Sequence, residues 1–208
     1  LIKNFLETAD KTSKPIILYN VPSRTGCNIT LPVYKELAKH ERIVAVKEAS
    51  GNMSAIAELI AECGDYLDVY SGNDDQIVPI MSLGGKGVIS VVSNVMPEAM
   101  VSMCDKYFAG DVKGAAEMQF YLHKITKAMF SDVNPIPVKE AMNMMGMNVG
   151  GFRMPLCEME KDKKAARVNV LKEYNVSRCY FGHIHGCYSQ GSVFKWENIE
   201  FRMISADF

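Results

Sequence analysis

Short runs of apolar residues alternate with segments of helical spacing over the first half of the chain. The runs have the unbroken Val, Ile, Leu and Ala content of strands buried on both faces. They lie at residues 15–20, 43–47, 67–70 and 87–92. One amphipathic segment fills each gap between them, which is typical of parallel βαβ units. The pattern therefore predicts an α/β fold with a parallel sheet.

From residue 97 the apolar spacing is helical only, and then it changes again. We predict helices at 97–108, 111–130 and 136–145, with a more charged helix at 160–174. Two further segments have the alternation of strands, at 176–181 and 199–204. The chain therefore divides into three predicted domains, at 1–96, 97–169 and 170–208. It opens at Leu1 inside an amphipathic helical pattern, so we expect a truncated element there.

Composition narrows the possible partners. The 208 residues are 48% hydrophobic and 23% charged, with a net charge of −1, as in ordinary globular proteins. A chain so close to neutrality is not expected to bind nucleic acid or an anionic membrane. No apolar run reaches the roughly 18 residues of a membrane span. The six cysteines are scattered without a C-x-x-C pair, which predicts reduced thiols and a cytoplasmic location.

A lysine ends the second predicted strand. Lys47 follows the apolar run Ile43-Val44-Ala45-Val46. At the carboxyl end of a barrel strand, an ammonium is partly desolvated, which lowers its pKa and frees its lone pair for attack on a carbonyl. That is the requirement for a Schiff-base lysine. The alternative is a lysine that closes the strand and points into water.

Neighbouring loops carry further candidates for chemistry. Tyr19 ends the first strand, so it should lie beside Lys47, where its hydroxyl could relay protons. Arg24 could hold a carboxylate in a bidentate contact. Together these residues describe an aldolase-type site for a keto acid. Each has a structural alternative, because Tyr19 could cap the core, Arg24 could be a solvated loop residue, and Asn73-Asp74-Asp75 could cap the next helix.

Four motifs, in this order and spacing, resemble the dihydrodipicolinate synthase (4-hydroxy-tetrahydrodipicolinate synthase) family. They are Tyr-Asn-Val-Pro-Ser-Arg-Thr-Gly from Tyr19, Val-Lys-Glu-Ala-Ser-Gly-Asn from Val46, Ser-Gly-Asn-Asp-Asp from Ser71 and Gly-Val-Ile-Ser-Val from Gly87. The resemblance runs from residue 1 to about 165. N-acetylneuraminate lyase and the keto-deoxy sugar acid aldolases share the lysine and the tyrosine. The Ser-Arg-Thr and Asn-Asp-Asp motifs favour the synthase over these sister enzymes.

The resemblance implies the rear half of a TIM (β/α)8 barrel, with four βα units, followed by a C-terminal helical domain. Lys47 would form the Schiff base with pyruvate, and Tyr19 would relay protons. Arg24 would hold the carboxylate of aspartate semialdehyde, while the backbone around Gly72 and Ile89 would line the pyruvate pocket. The family acts in lysine biosynthesis through the diaminopimelate pathway. The resemblance also implies a homotetramer. It implies no cofactor, because pyruvate is bound as a covalent imine on Lys47. The resemblance places only half of the barrel in this chain, so we expect an incomplete site, two open strand edges and an exposed apolar inner face.

The last forty or so residues resemble a different family. Gly182-His183-Ile184-His185 is similar to the last metal motif of calcineurin-like metallophosphoesterases. The other metal ligands of that family are not recognisable here, so we expect no bound divalent metal, with His183 and His185 as the candidate ligands if one binds. We therefore predict a short β-rich foreign tail. A metal-dependent phosphoesterase fragment and a non-catalytic fusion fragment stay open as alternative functions.

Overall fold

Helical segments separate the strands along the first 82 residues, as the apolar pattern predicts, with one short helix, at Pro22–Thr25, that it did not predict. The structure, a computed structural model, describes residues 1–159, 169–174, 178–181, 193–196 and 199–203. The early helices are α1 (Ile2–Lys11), α2 (Pro22–Thr25), α3 (Leu31–Leu37), α4 (Met53–Cys63) and α5 (Ile77–Ser82). The early strands are β1 (Ile16–Asn20), β2 (Ile43–Glu48) and β3 (Asp68–Ser71). These three strands form one parallel sheet in the order β1-β2-β3.

The predicted fourth strand is reduced to one bridge. Val88 pairs in parallel with Ser71, and backbone hydrogen bonds of 2.9 Å run from Ser71 N to Gly87 O and from Ile89 N to Ser71 O. Gly87 has a φ of +132°, which lies outside the extended region of a regular strand. The chain then enters a 3₁₀ helix at Val92–Asn94. The prediction of a strand at 87–92 is therefore wrong in extent, although the segment does extend the sheet.

The helix-facing side of the sheet carries the core of this part of the chain. Leu18, Val46 and Val69 are buried there among helical residues such as Leu37 and Leu59. The removal of these side chains from water provides most of the driving force for folding of this part. The helices therefore fix the sheet from one side.

The opposite side of the sheet corrects a second prediction. Ile17 and Tyr19 are 50% and 48% exposed, and Val44 is 39% exposed. The prediction of burial on both faces is therefore wrong for β1, since no described element covers this face, whereas the exposed inner face expected of a partial barrel is observed. The side chains of β1 therefore alternate between a buried and an open face.

The later helices follow the predicted pattern with one break. They are α6 (Pro97–Phe108), α7 (Val112–Tyr121), α8 (His123–Met129) and α9 (Ile136–Met144). The single helix predicted at 111–130 is thus two helices. Leu122, with a ψ of −4°, departs from α geometry between them and is buried. Residues 169–173, in the last part of the predicted charged helix, are also helical.

The chain forms two compact units. One comprises Leu1–Ser90 and Val101–Phe120, and the other comprises the described residues of Val91–Met100 and Tyr121–Phe208. Within the second unit the Tyr174 hydroxyl donates a hydrogen bond to the Tyr121 carbonyl, and Lys124 forms an ion pair with Glu173. These contacts attach the 169–173 helix to α8. The domain boundaries at 97 and 170 stay a prediction.

A small second sheet lies near the end of the chain. It contains β4 (Arg178–Phe181), β5 (Val193–Trp196) and β6 (Ile199–Met203) in the order β4-β6-β5, with β4 parallel and β5 antiparallel to β6. The two strands predicted in this region are β4 and β6, while β5 was not predicted. His183 and His185 lie outside the described residues.

None of the helices in the described ranges has both the length and the apolar content needed to cross a membrane.

The start of α4 offers a test of the fold. Asn52 is its N-cap, and its side-chain Oδ1 accepts a hydrogen bond of 3.1 Å from Ala55 N. Asn52→Ala should lower the free energy of unfolding by about 1 kcal/mol, because it removes this cap. Urea denaturation followed by circular dichroism measures the change.

The matched control is Thr30→Ala. Thr30 is the exposed N-cap of α3, and its side chain makes no cap hydrogen bond. The Asn52 variant should therefore lose clearly more stability than the Thr30 variant. Equal losses would contradict the assigned cap.

Candidate functional site

Tyr19 and Lys47 meet at the carboxyl end of the parallel sheet. Both strands present alternate residues to the same face, and the register pairs Tyr19 with Lys47 and Lys47 with Tyr70. The Lys47 ammonium lies 4.4 Å from the centroid of the Tyr19 ring, within the range of a cation–π contact. Strand register thus brings together the two side chains that the sequence singled out.

Partial burial changes the acid–base behaviour of Lys47. Desolvation lowers the pKa of its ammonium, and the Asp74 carboxylate acts in the opposite direction with a smaller effect. A lowered pKa leaves more of the amine neutral near physiological pH. A neutral amine is the form that attacks a carbonyl carbon, so Lys47 is suited to nucleophilic catalysis.

The backbone after β3 approaches Lys47 closely at Gly72. A Cβ at position 72 would lie 3.2 Å from Lys47 Cε and 2.7 Å from the Ala49 Cβ. The Gly72 N–H donates a 2.7 Å hydrogen bond to the Glu48 carbonyl, which holds this approach. Glycine is therefore required here for lack of space. Gly72 forms one wall beside the lysine side chain.

Ile89 lies next to this wall. Its backbone N–H donates to the carbonyl of Ser71, the residue before Gly72. The side chain of Ile89 is partly buried. Ile89 therefore borders β3 on the edge away from β2, and β3 separates it from Lys47.

Arg24 is placed differently from the other candidates. It lies in the short helix α2, which starts with Pro22 two residues after β1, and its side chain is exposed. In the part of the chain that the structure describes, no hydrogen bond or ion pair joins Arg24 to Tyr19 or Lys47. Arg24 thus lies in the segment that follows β1, and the structure does not bring it into hydrogen-bond contact with the reactive pair.

A polar cluster on the reverse face of the sheet was missed by the sequence analysis. Asn20 and Glu48 are each 2% exposed, and Asn20 Nδ2 donates to the Glu48 carboxylate at 3.0 and 3.2 Å. The Tyr34 hydroxyl and the Ser50 N–H also donate to this carboxylate, at 3.0 and 2.7 Å. The alternation of side chains along a strand was the available signal, since Asn20 follows Tyr19 and Glu48 follows Lys47.

The buried carboxylate affects its neighbours. Burial raises the pKa of Tyr34, and the negative charge of Glu48 raises it further. A cavity of about 400 Å³ adjoins the cluster on the helix side of the sheet. Its lining includes Asn20, Tyr34 and Glu48 together with Ala55 and Leu59 of α4. The cluster and the cavity are therefore on the opposite face from Lys47.

Side chains that could bind a metal ion do not form a cluster in the described ranges. Those ranges contain no group of three or more His, Cys, Asp or Glu side chains arranged to hold a metal ion. Cys27, Cys63, Cys104 and Cys157 are free thiols. The candidate ligands His183 and His185 are not among the described residues.

Comparison with known proteins identifies relatives over most of the chain. Residues 1–174 match the Dihydrodipicolinate synthetase family. The 4-hydroxy-tetrahydrodipicolinate synthase of Caldicellulosiruptor bescii is 50% identical over 177 residues, which cover 85% of this chain and 60% of that protein. This chain therefore spans about 60% of the length of the curated relatives it matches.

Solved structures agree with these relatives. The dihydrodipicolinate synthase of Aquifex aeolicus is 41% identical with a TM-score of 0.81, over 84% of this chain and 60% of that chain. The chloride-inhibited enzyme of Acinetobacter baumannii, solved in complex with pyruvate, is 33% identical with a TM-score of 0.79, over 83% and 59%. These neighbours confirm a TIM-barrel-type α/β fold and the resemblance that the four motifs predicted.

The close approach at Gly72 gives a test of the site. Gly72→Ala should lower the free energy of unfolding by about 1–3 kcal/mol, because the added methyl would overlap the Ala49 side chain. Urea denaturation of the variant and the parent chain measures the difference.

Gly151→Ala is the matched control, since a Cβ there would have no neighbour within 4 Å. It should leave stability within about 0.5 kcal/mol of the parent. A Gly72 variant as stable as the Gly151 variant would show that the wall beside Lys47 is not tightly packed.

Proposed function

Because this chain belongs to the dihydrodipicolinate synthetase family, we propose that it carries the lysine-bearing half of a 4-hydroxy-tetrahydrodipicolinate synthase. Such an enzyme is a lyase of the class I aldolase type, which condenses pyruvate with aspartate semialdehyde in lysine biosynthesis. The observation that carries the proposal is Lys47, partly desolvated and in contact with the Tyr19 ring. The names of the curated relatives support the same activity.

The proposed chemistry starts at the Lys47 amine. Its neutral Nζ attacks the ketone carbon of pyruvate, and loss of water gives an iminium ion on Lys47. Loss of a proton from the pyruvate methyl group gives an enamine, whose carbon attacks the aldehyde. Tyr19 transfers protons during these steps, a role supported by its ring, whose centroid lies 4.4 Å from the Lys47 ammonium. The pyruvate complex of a relative supports this substrate.

The remaining site residues would bind substrates. Gly72 and Ile89 would line the pyruvate pocket with backbone groups, and the lack of space for a Cβ between Gly72 and the Lys47 side chain supports that role. Arg24 would hold the carboxylate of aspartate semialdehyde. Its exposed position supports a role at the entrance of the site and not beside the amine. No organic cofactor is needed, since the lysine itself carries the intermediate.

The proposed architecture is the rear half of the (β/α)8 barrel, at 1–96, with a helical domain at 97–169 and a β-rich foreign tail at 170–208. A complete barrel has eight strands and roughly 250 residues. The share of about 60% of the relatives' length supports a partial barrel. The family match ends at residue 174, which supports a different origin for the tail.

We expect the chain to form a homo-oligomer in the cytoplasm. The family resemblance implies that this oligomer is a tetramer. Neither nucleic acid nor a membrane is an expected partner.

Imine trapping tests the proposed function. The full chain, incubated with pyruvate and sodium borohydride, should gain one reduced pyruvate adduct, and peptide mapping should locate it at Lys47. Tyr19→Phe should slow adduct formation by about 100-fold, because the proton relay is lost.

Lys47→Arg is the control, since it keeps a positive charge beside Tyr19 but removes the nucleophile. It should abolish the adduct. Equal modification of Lys47 and of exposed lysines such as Lys3, or no adduct at all, would contradict the proposal.

A further inference from the structure

Two pairs of side chains occupy successive positions on β1 and β2. The register pairs Tyr19 with Lys47 and then Asn20 with Glu48. Since successive residues of a strand point to opposite faces, the second pair lies directly behind the first. The reverse-face pair is joined by hydrogen bonds of 3.0 and 3.2 Å from Asn20 Nδ2 to the carboxylate. The front pair has only the contact between an ammonium and a ring.

The reverse-face pair is also bonded through its backbone. The Ala49 N–H donates to the Asn20 carbonyl at 2.9 Å, and the Gly72 N–H donates to the Glu48 carbonyl at 2.7 Å. The carboxyl ends of β1, β2 and β3 are therefore joined at the two residues that follow Tyr19 and Lys47. A shift of β1 against β2 would change the distance from the tyrosine to the lysine and the Asn20–Glu48 hydrogen bonds together.

Further contacts hold this pair in the fold. The side-chain Nδ2 of Asn20 also donates to the side chain of Asn28 at 2.9 Å, and its side-chain Oδ1 accepts from Ile29 N at 3.0 Å. The Tyr34 hydroxyl donates to the carboxylate from α3. Side-chain rotation of Asn20 would break several hydrogen bonds at once, so its position is tightly fixed.

The stability of the fold does not by itself require a carboxylate at position 48. A buried charge is costly, and an apolar side chain of similar volume often stabilises a core at least as well. In the described ranges the donors to Glu48 are an amide, a phenol and a backbone N–H, and no ion pair joins Glu48 to a cation. What this arrangement provides is directional bonding between strands.

We propose that Asn20 and Glu48 are positioning residues, which fix the carboxyl ends of β1 and β2 so that Tyr19 stays against the amine of Lys47. The inference rests on the proposed function, since it concerns the reactivity of that amine. Neither residue touches the substrate, because both side chains are on the reverse face. Their effect on the reaction passes through strand position alone.

Asn20→Leu tests the proposal, since it removes the amide without adding charge. Pyruvate adduct formation on Lys47, normalised to the folded fraction, should slow by at least about tenfold, because a displacement of about 1 Å at a reacting pair has effects of that size or larger. Tyr34→Phe is the matched control. It also removes a buried hydrogen bond to Glu48, but it leaves the link between the strands, so its rate should stay within about twofold.

Exchanging the amide and the carboxylate of this pair should rescue the rate of adduct formation. Asn20→Asp alone places two carboxylates against each other and should slow adduct formation most. The double variant Asn20→Asp, Glu48→Gln reverses donor and acceptor at unchanged net charge, so it should be faster than Asn20→Asp by at least about tenfold. If Asn20→Leu does not fold, this comparison decides. Equal rates for the single and double variants would overturn the proposal, as would a folded Asn20→Leu chain with the parent rate.

A measurement without pyruvate separates this proposal from the proposed function. Competitive acetylation of Lys47 against exposed Lys3 gives a reactivity profile over pH. The midpoint for Lys47 should shift in Asn20→Leu, because the contact of its ammonium with the Tyr19 ring changes, and stay unchanged in Tyr34→Phe. A parent chain that forms no adduct would contradict the proposed function only, whereas an unchanged midpoint in Asn20→Leu would contradict the positioning role.

Discussion

The buried carboxylate of Glu48 is the interaction on which the site depends. It accepts hydrogen bonds from β1 through Asn20, from α3 through Tyr34 and from its own loop through Ser50. The carbonyl of the same residue accepts from Gly72 after β3. One residue thus joins the elements that carry the tyrosine, the lysine and the glycine wall. Because hydrogen bonds are directional, they fix strand ends more narrowly than apolar packing does.

The two faces of the sheet have different roles, one in stability and the other in the proposed chemistry. The helix-facing side is buried and holds the sheet in place, while the other face leaves Tyr19 about half exposed. Lys47 is only partly buried, but this burial is enough to lower the pKa of its ammonium. A lowered lysine pKa means that the unfolded chain binds more protons than the folded chain. The contribution of Lys47 to stability therefore rises with pH toward the ordinary value of 10.5.

Sequence reasoning predicted the parallel sheet and the contact between Tyr19 and Lys47, because strand order and residue alternation determine both. It failed in the extent of the strand predicted from Gly87, whose positive φ lies outside the extended region, since the apolar run forms only one bridge to β3, at Val88. It also failed to find the cluster around Glu48. Asn20 ends the predicted strand 15–20 and Glu48 directly follows the strand 43–47, so alternation was the sequence signal for their position, and the register shows that they meet on the reverse face. The apolar content of β1 predicted burial on both faces, whereas the partial barrel implied by the resemblance predicted an exposed inner face, and the exposure of Ile17 and Tyr19 confirms the second expectation.

The most direct measurement is the pKa of Lys47 in the full chain without pyruvate. Reductive ¹³C-methylation followed by NMR titration resolves the lysine signals, and Lys47→Arg assigns the one of interest. We expect a pKa below the ordinary 10.5, because desolvation by burial disfavours the ammonium. A pKa at or above 10.5 would contradict it, since Lys47 would then be an ordinary charge at the end of a strand.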